Sequence, residues 1–181
     1  GLVFAGGCPR SGLTVLRKKL ASHPDILAGP DTGVAPGIAF QWRNYAEILG
    51  GLHEKYFDLK PDYVAGNMGR FLENLLRAEN ETRVIVEKTS LNVTAFDALA
   101  TILPAAKFIH VVRDGRDVAA SLLERNWQDP ATGQPFPHVC DRLAAIKYWS
   151  DLVTVGHAAE QKLAQNERII RIRYEDIVRQ P

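Results

Sequence analysis

Residues Gly6-Gly7-Cys8-Pro9-Arg10-Ser11-Gly12-Leu13-Thr14 join an apolar run, Leu2-Val3-Phe4-Ala5, to a stretch in which Val15, Leu16 and Leu20 share one helical face. This order of strand, glycine loop and helix constrains the fold more than any other feature of the chain. An unbroken apolar run reads as a strand buried on both sides, which needs helices on both faces of a sheet. Gly7 and Gly12 have the spacing of P-loop glycines and Thr14 has the place of its Ser/Thr, but Leu13 stands where the lysine belongs. The physics survives that change. Glycines let backbone N–H groups turn inward, and a helix N-terminus adds partial positive charge, so a phosphate can be cradled. Arg10 supplies a cation from within the loop. The bland alternative is a tight turn with no ligand.

The rest of the chain repeats the alternation. Arg83 to Val86, Lys107 to Val112 and Arg168 to Tyr174 are Val/Ile-rich strands, and Ile26 to Ala28 is a shorter fifth. Helical periodicity fits about residues 12–22, 66–79, 93–103, 115–126, 138–165 and 175–179. Such alternation predicts an α/β, three-layer domain of the P-loop type, with a mostly parallel sheet of four to five strands flanked by helices. The 181 residues are read as a single domain, 1–181, expected to be truncated at its C-terminus. Residues 33–62 and 128–137 read as loops or short helices over one edge of the sheet. The first of these is expected on the acceptor side.

Arg113 ends the Lys107 strand, where ligands of open α/β sheets bind. Its guanidinium, with the hydroxyl of Ser121 two turns into the next helix, suits a terminal phosphate. Asp114 reads as a helix cap and Asp117 as a first-turn acid, which leaves Arg113 free.

Together these segments resemble the nucleotide-binding elements of the sulfotransferases that use 3′-phosphoadenosine 5′-phosphosulfate (PAPS). Pro9-Arg10-Ser11-Gly12-Leu13-Thr14 is similar to the loop that holds the 5′-phosphosulfate, departing from it at Leu13. Arg113 and Ser121 match the Arg/Ser pair that holds the 3′-phosphate. Lys88-Thr89-Ser90 and Arg173-Tyr174-Glu175-Asp176 resemble further family stretches, in the family's order. The likeness is closest to the tyrosylprotein and related bacterial branch. The resemblance implies PAPS as co-substrate, no metal, and sulfuryl transfer to a hydroxyl or amine of a small molecule, sugar or peptide tyrosine. It puts Lys88 beside the bridging oxygen of the leaving phosphate, with Arg10 assisting, Asp31 as base and Tyr174 among the nucleotide contacts. Asp31 is one methylene shorter than the family's Glu, and Ser90 stands where the cytosolic branch has a His base. Glu87 is a substitute base, and a turn residue is the plain reading of Asp31. Lys88 could instead pair with Glu87 or Asp31.

Other classes fit less well. A P-loop kinase of small molecules lacks its lysine, and Asp114 is its only candidate for Mg²⁺. A non-catalytic nucleotide-binding domain is the second rival. A net charge of +1 argues against nucleic-acid partners, and no apolar run can span a bilayer. Cys8 and Cys140 read as reduced thiols. His23, His53, His138 and His157 lack metal or triad spacing, while His110, Tyr148 and Trp149 read as core. Asn80-Glu-Thr82 and Asn92-Val-Thr94 are sequons of the kind that arise by chance, and a cytoplasmic protein is favoured.

Overall fold

The structure is a computed structural model and describes residues 1–78 and 83–179. Asn80 and the last residue of the helix expected over 66–79 lie outside the described residues.

Five strands form one all-parallel sheet: β1 (Leu2–Gly6), β2 (Ile26–Ala28), β3 (Val84–Lys88), β4 (Lys107–Val112) and β5 (Ile169–Arg173). Their spatial order is β2-β3-β1-β4-β5, which places the Leu2 strand at the centre, between the Val84 and Lys107 strands. The register aligns the strand ends: Ala5 lies opposite Lys88, Gly6 opposite His110, and Val112 opposite Arg173.

Alternation along β1 and β4 builds two cores. Leu2, Phe4 and Phe108 face the larger one, whereas Ala5, Ile109 and Val111 face the smaller. The larger core is covered by α2 (Val34–Asn44), α4 (Pro61–Arg77), α5 (Phe96–Ile102), α6 (Gly115–Leu123) and α8 (Arg142–Leu163). There the Phe108 ring meets Phe4 at 6.0 Å and Phe96 at 5.2 Å between centroids. The smaller core is covered by α1 (Leu13–Leu20) and α9 (Tyr174–Arg179), through Leu13, Leu16 and Ile177. Leu13 therefore spends its side chain on the core, not on a ligand.

The segment 33–62 is mostly helical. After α2 comes a π-helical turn, Tyr45–Leu49, then α3 (Gly50–Phe57), and α4 already begins at Pro61. Proline at the first helical position gives up an N–H that has no partner there anyway. The helix expected over 93–103 is a 3₁₀ turn, Ser90–Thr94, followed by α5, and the long C-terminal helix is preceded by α7 (Pro137–Cys140). Asn92 is fully buried and donates to the carbonyl of Ala5, so a glycan there cannot coexist with the fold. No described helix is long and apolar enough to cross a membrane.

Candidate active site

The chain leaves β1 toward β2 on one side and leaves β4 toward β5 on the other. The crevice between β1 and β4 is thus the switch point at which open α/β sheets bind ligands. A cleft of about 500 Å³ opens at this carboxyl edge. Pro9, Arg10, Gly12, Leu13, Thr14, Asp31, Lys88, Arg113 and Tyr174 line it, together with Trp127 and Tyr148. Ser11 is not among the lining residues, because it is fully buried beneath the loop. No residue of 33–62 lines it either. A hollow of similar volume at the opposite edge, around Tyr63, Arg70 and Pro104, holds none of the candidate residues.

Two close approaches shape the loop. Gly7 passes so near β4 that a Cβ would lie 2.2 Å from the Val111 carbonyl oxygen. Gly12 has φ +94°, and a Cβ there would lie 2.1 Å from the Tyr174 ring. Arg10 also has positive φ, at 74°. Helix α1 starts from Gly12 with no side-chain cap and no acid in its first turn. Val15 and Leu16 donate to the Gly12 carbonyl at 2.9 and 3.1 Å, which leaves the amides of Leu13 and Thr14, at the cleft lining, for a ligand.

Arg113 is engaged, contrary to the expectation that it is free. It donates to the Arg10 carbonyl at 3.2 Å and to Asp117 Oδ2 at 3.3 Å, and its guanidinium lies 4.5 Å from the Tyr174 ring centroid. Its Nε is buried without a partner. Ser121 stays out of the cleft lining and accepts from Arg10 Nε at 3.0 Å. Asp114 is the cap of α6, accepting from the Arg116 amide at 2.9 Å, and hydrogen bonds from Arg116 hold its carboxyl well below the usual range. This use leaves it poorly placed as a metal ligand. Among the described residues, no group of three or more His, Cys, Asp and Glu side chains could hold a metal.

Lys88 is 7% exposed and makes an ion pair with Asp31, whose side chain is 48% exposed. Burial, and behind it the Arg17 guanidinium, push the ammonium below its usual pKa, while contact with Asp31 favours the charged form. Glu87 is buried and takes hydrogen bonds from Thr32, Thr89 and Asn92, so it is no substitute base.

Sequence reasoning missed the aromatic wall of the cleft. Trp127 and Tyr148 are only partly buried, and His138 stacks on Tyr148 at 4.1 Å and on Phe136 at 5.3 Å. Trp149 donates its indole N–H to the Arg113 carbonyl at 3.2 Å, which steadies the β4–α6 turn. Burial pushes the Cys8 thiol up to about 12, so it stays protonated at neutral pH. His110 is a fully buried sheet histidine that meets Glu160 at 2.6 Å.

The sheet order and the flanking helices define an α/β domain of the P-loop type. Residues 3–181 match the sequence profile of the sulfotransferase family, and the chain belongs to that family. It is 32% identical over 128 residues to protein-tyrosine sulfotransferase 1 of Danio rerio, covering 68% of this chain and 36% of the relative. It is 25% identical over 183 residues to the Drosophila melanogaster protein-tyrosine sulfotransferase, covering 99% of this chain and 35% of the relative. The chain thus spans about a third of these relatives' length. Among solved structures, the sulfotransferase domain of the curacin biosynthetic pathway superposes with a TM-score of 0.67 at 22% identity, over 100% of this chain and 69% of that one. A sulfotransferase from Alicyclobacillus acidocaldarius superposes with 0.60 at 17%, over 99% and 75%. These two likenesses concern the fold.

Proposed function

We propose that this chain carries the donor site and transfer machinery of a PAPS-dependent sulfotransferase. The observation that carries the reading is the convergence of Arg10, Asp31, Lys88 and Arg113 on one cleft at the carboxyl edge of the sheet. The residues fit the donor: loop N–H groups and Arg10 suit its 5′-phosphosulfate, and the partnerless Nε of Arg113 remains for the 3′-phosphate. Ser121 and Tyr174 serve that end by holding Arg10 and Arg113 in place. Ser11 closes the loop through its amide, which donates to the Cys8 carbonyl at 3.1 Å.

In the transfer step the acceptor oxygen or nitrogen bonds to sulfur as the bond from sulfur to the leaving phosphate oxygen breaks. Asp31 takes the acceptor proton. Lys88 and Arg10 stabilise the charge that grows on the leaving oxygen, the kind of fixed electrostatic support that dominates such transfers. The names of the relatives make a tyrosine hydroxyl in a peptide the first acceptor to examine, ahead of sugars and small phenols. A kinase reading loses support from the buried Leu13 and the capping role of Asp114.

Thermal-shift titration tests the donor. 3′,5′-ADP should raise the melting temperature and ATP with Mg²⁺ should not. The reverse result would overturn PAPS as the donor, and a response to neither would end the nucleotide reading. Transfer of ³⁵S from labelled PAPS to a tyrosine peptide, a phenol and a sugar tests the acceptor.

A further inference from the structure

We infer that Glu87 is a positioning residue that locks the Asp31 loop onto strand β3 and so sets the base against Lys88. The inference rests on the transfer reading above for its kinetic consequence, but not for its structural one.

Neighbouring residues on a strand point to opposite faces. Lys88 turns into the cleft, and Glu87, in register with Phe4, turns toward the larger core, where it is 4% exposed. A carboxylate in such a place is costly unless it is fully hydrogen-bonded, and an apolar residue would be cheaper. Here Oε1 accepts from Thr32 Oγ1 at 2.7 Å and from Thr89 Oγ1 at 2.6 Å, and Oε2 accepts from Asn92 Nδ2 at 2.5 Å.

These donors belong to three segments of the site. Thr32 follows Asp31, Thr89 follows Lys88, and Asn92 lies in the 3₁₀ turn and donates to the Ala5 carbonyl of the central strand at 3.1 Å. The network also has a fixed direction. Because a carboxylate only accepts, each threonine hydroxyl must spend its single proton on Glu87. Their lone pairs then receive backbone N–H groups. Thr89 Oγ1 accepts from Thr32 at 3.2 Å and Gly33 at 3.1 Å, and Thr32 Oγ1 accepts from Val34 at 3.2 Å. Among the described residues, the side-chain hydrogen bonds that join residues 29–33 to β3 or Thr89 all belong to this network, apart from the Asp31–Lys88 pair itself. An amide at position 87 would set an N–H against that of Asn92, or turn Asn92 away from the central strand.

The test uses Glu87→Gln, Thr32→Val and the double variant. By amide hydrogen exchange, Thr32 and Gly33 should exchange roughly tenfold faster in Glu87→Gln, with the central strand unchanged. With labelled PAPS and a tyrosine peptide, kcat should fall about 10²-fold, the cost of displacing a reacting group by about an ångström. KM for PAPS and affinity for 3′,5′-ADP should hold. Thr32→Val should act in the same direction, and the double variant should be no worse than the worse single one. Unchanged exchange at Thr32 and Gly33, or exchange faster throughout the sheet, would overturn the inference. So would a loss of 3′,5′-ADP affinity in step with kcat. A wild-type chain that binds no 3′,5′-ADP ends the sulfotransferase reading, and the exchange result still decides the role of Glu87.

Discussion

The Asp31 carboxylate and the Lys88 ammonium, 57 residues apart in sequence, form an ion pair across the cleft. It couples the group proposed to take the acceptor proton to the group proposed to support the leaving oxygen. The two charges offset one another in the free protein. Asn at position 31 would keep the shape and still accept from Lys88. It could not take a proton. Asp31→Asn should therefore retain 3′,5′-ADP affinity while turnover drops by about 10²–10⁴-fold, the usual worth of general-base catalysis. Steady-state transfer rates beside calorimetric binding would show it. A variant with wild-type turnover would leave Asp31 as no more than the ion-pair partner of Lys88.

Arg113 gives a second separation. Its guanidinium rests on Tyr174 and is held by the Arg10 carbonyl and Asp117, so it is preorganised at the end of β4. Arg113→Ala should weaken 3′,5′-ADP by about 1.5–3 kcal/mol, the worth of a hydrogen bond to a charged group. The loss for 5′-AMP should be much smaller, since that nucleotide has no 3′-phosphate. Equal losses would mean that Arg113 supports the loop and reads nothing at the 3′ position.

Gly12 and Gly133 form a matched pair. Both have positive φ, at 94° and 69°, but only Gly12 faces another group where its Cβ would be, the Tyr174 ring. Alanine at either position should cost about 1–2 kcal/mol of backbone strain. Gly12→Ala must also displace Tyr174, the platform under Arg113, and so should lower 3′,5′-ADP affinity as well as the melting temperature. Gly133→Ala should lower the melting temperature alone. If both variants bind like wild type, Tyr174 does not transmit the shape of the loop to Arg113.

The order of strands and the phosphate loop were legible because their signals are local. Unbroken Val/Ile runs mark strands covered on both faces, and glycine spacing marks the turn. The Arg113 strand end followed from the same pattern. Segment 33–62 was harder to read. Pro36 and Gly37 fall in the first turn of α2, and Gly50-Gly51 open α3, places where helices tolerate them but where sequence alone suggests loops. The partners of Arg113 and Ser121 were hidden for another reason: Arg10 reaches Ser121 across 111 residues. Glu87 was read as a spare base because its burial depends on Thr32 and Asn92 closing over it, which no local pattern announces.

Acid should destabilise the protein through a cluster outside the cleft lining, that of Glu160, His110, His157 and Arg171. Burial alone would raise the Glu160 pKa, but hydrogen bonds from Arg171, His110 and His157 overcome it and hold the group at about 2. Its folded value lies below the unfolded one, roughly 4.3. The stabilisation is therefore fully present above about pH 4.3 and is lost as pH falls toward 2, where the folded chain takes up the proton. His110 acts in the same direction by a different route. Burial lowers its pKa, so the unfolded chain binds the proton first, and stability starts to decline as pH drops through about 6.5. Melting temperature should thus fall in two stages between pH 7 and pH 3. Glu160→Gln keeps the shape but loses the charge that holds Arg171, whose Nε donates to Oε1 at 2.8 Å. That variant should melt lower than wild type at pH 7 and show a shallower decline below pH 5. A variant that loses stability below pH 5 as steeply as the wild type would mean that Glu160 is not the group being titrated.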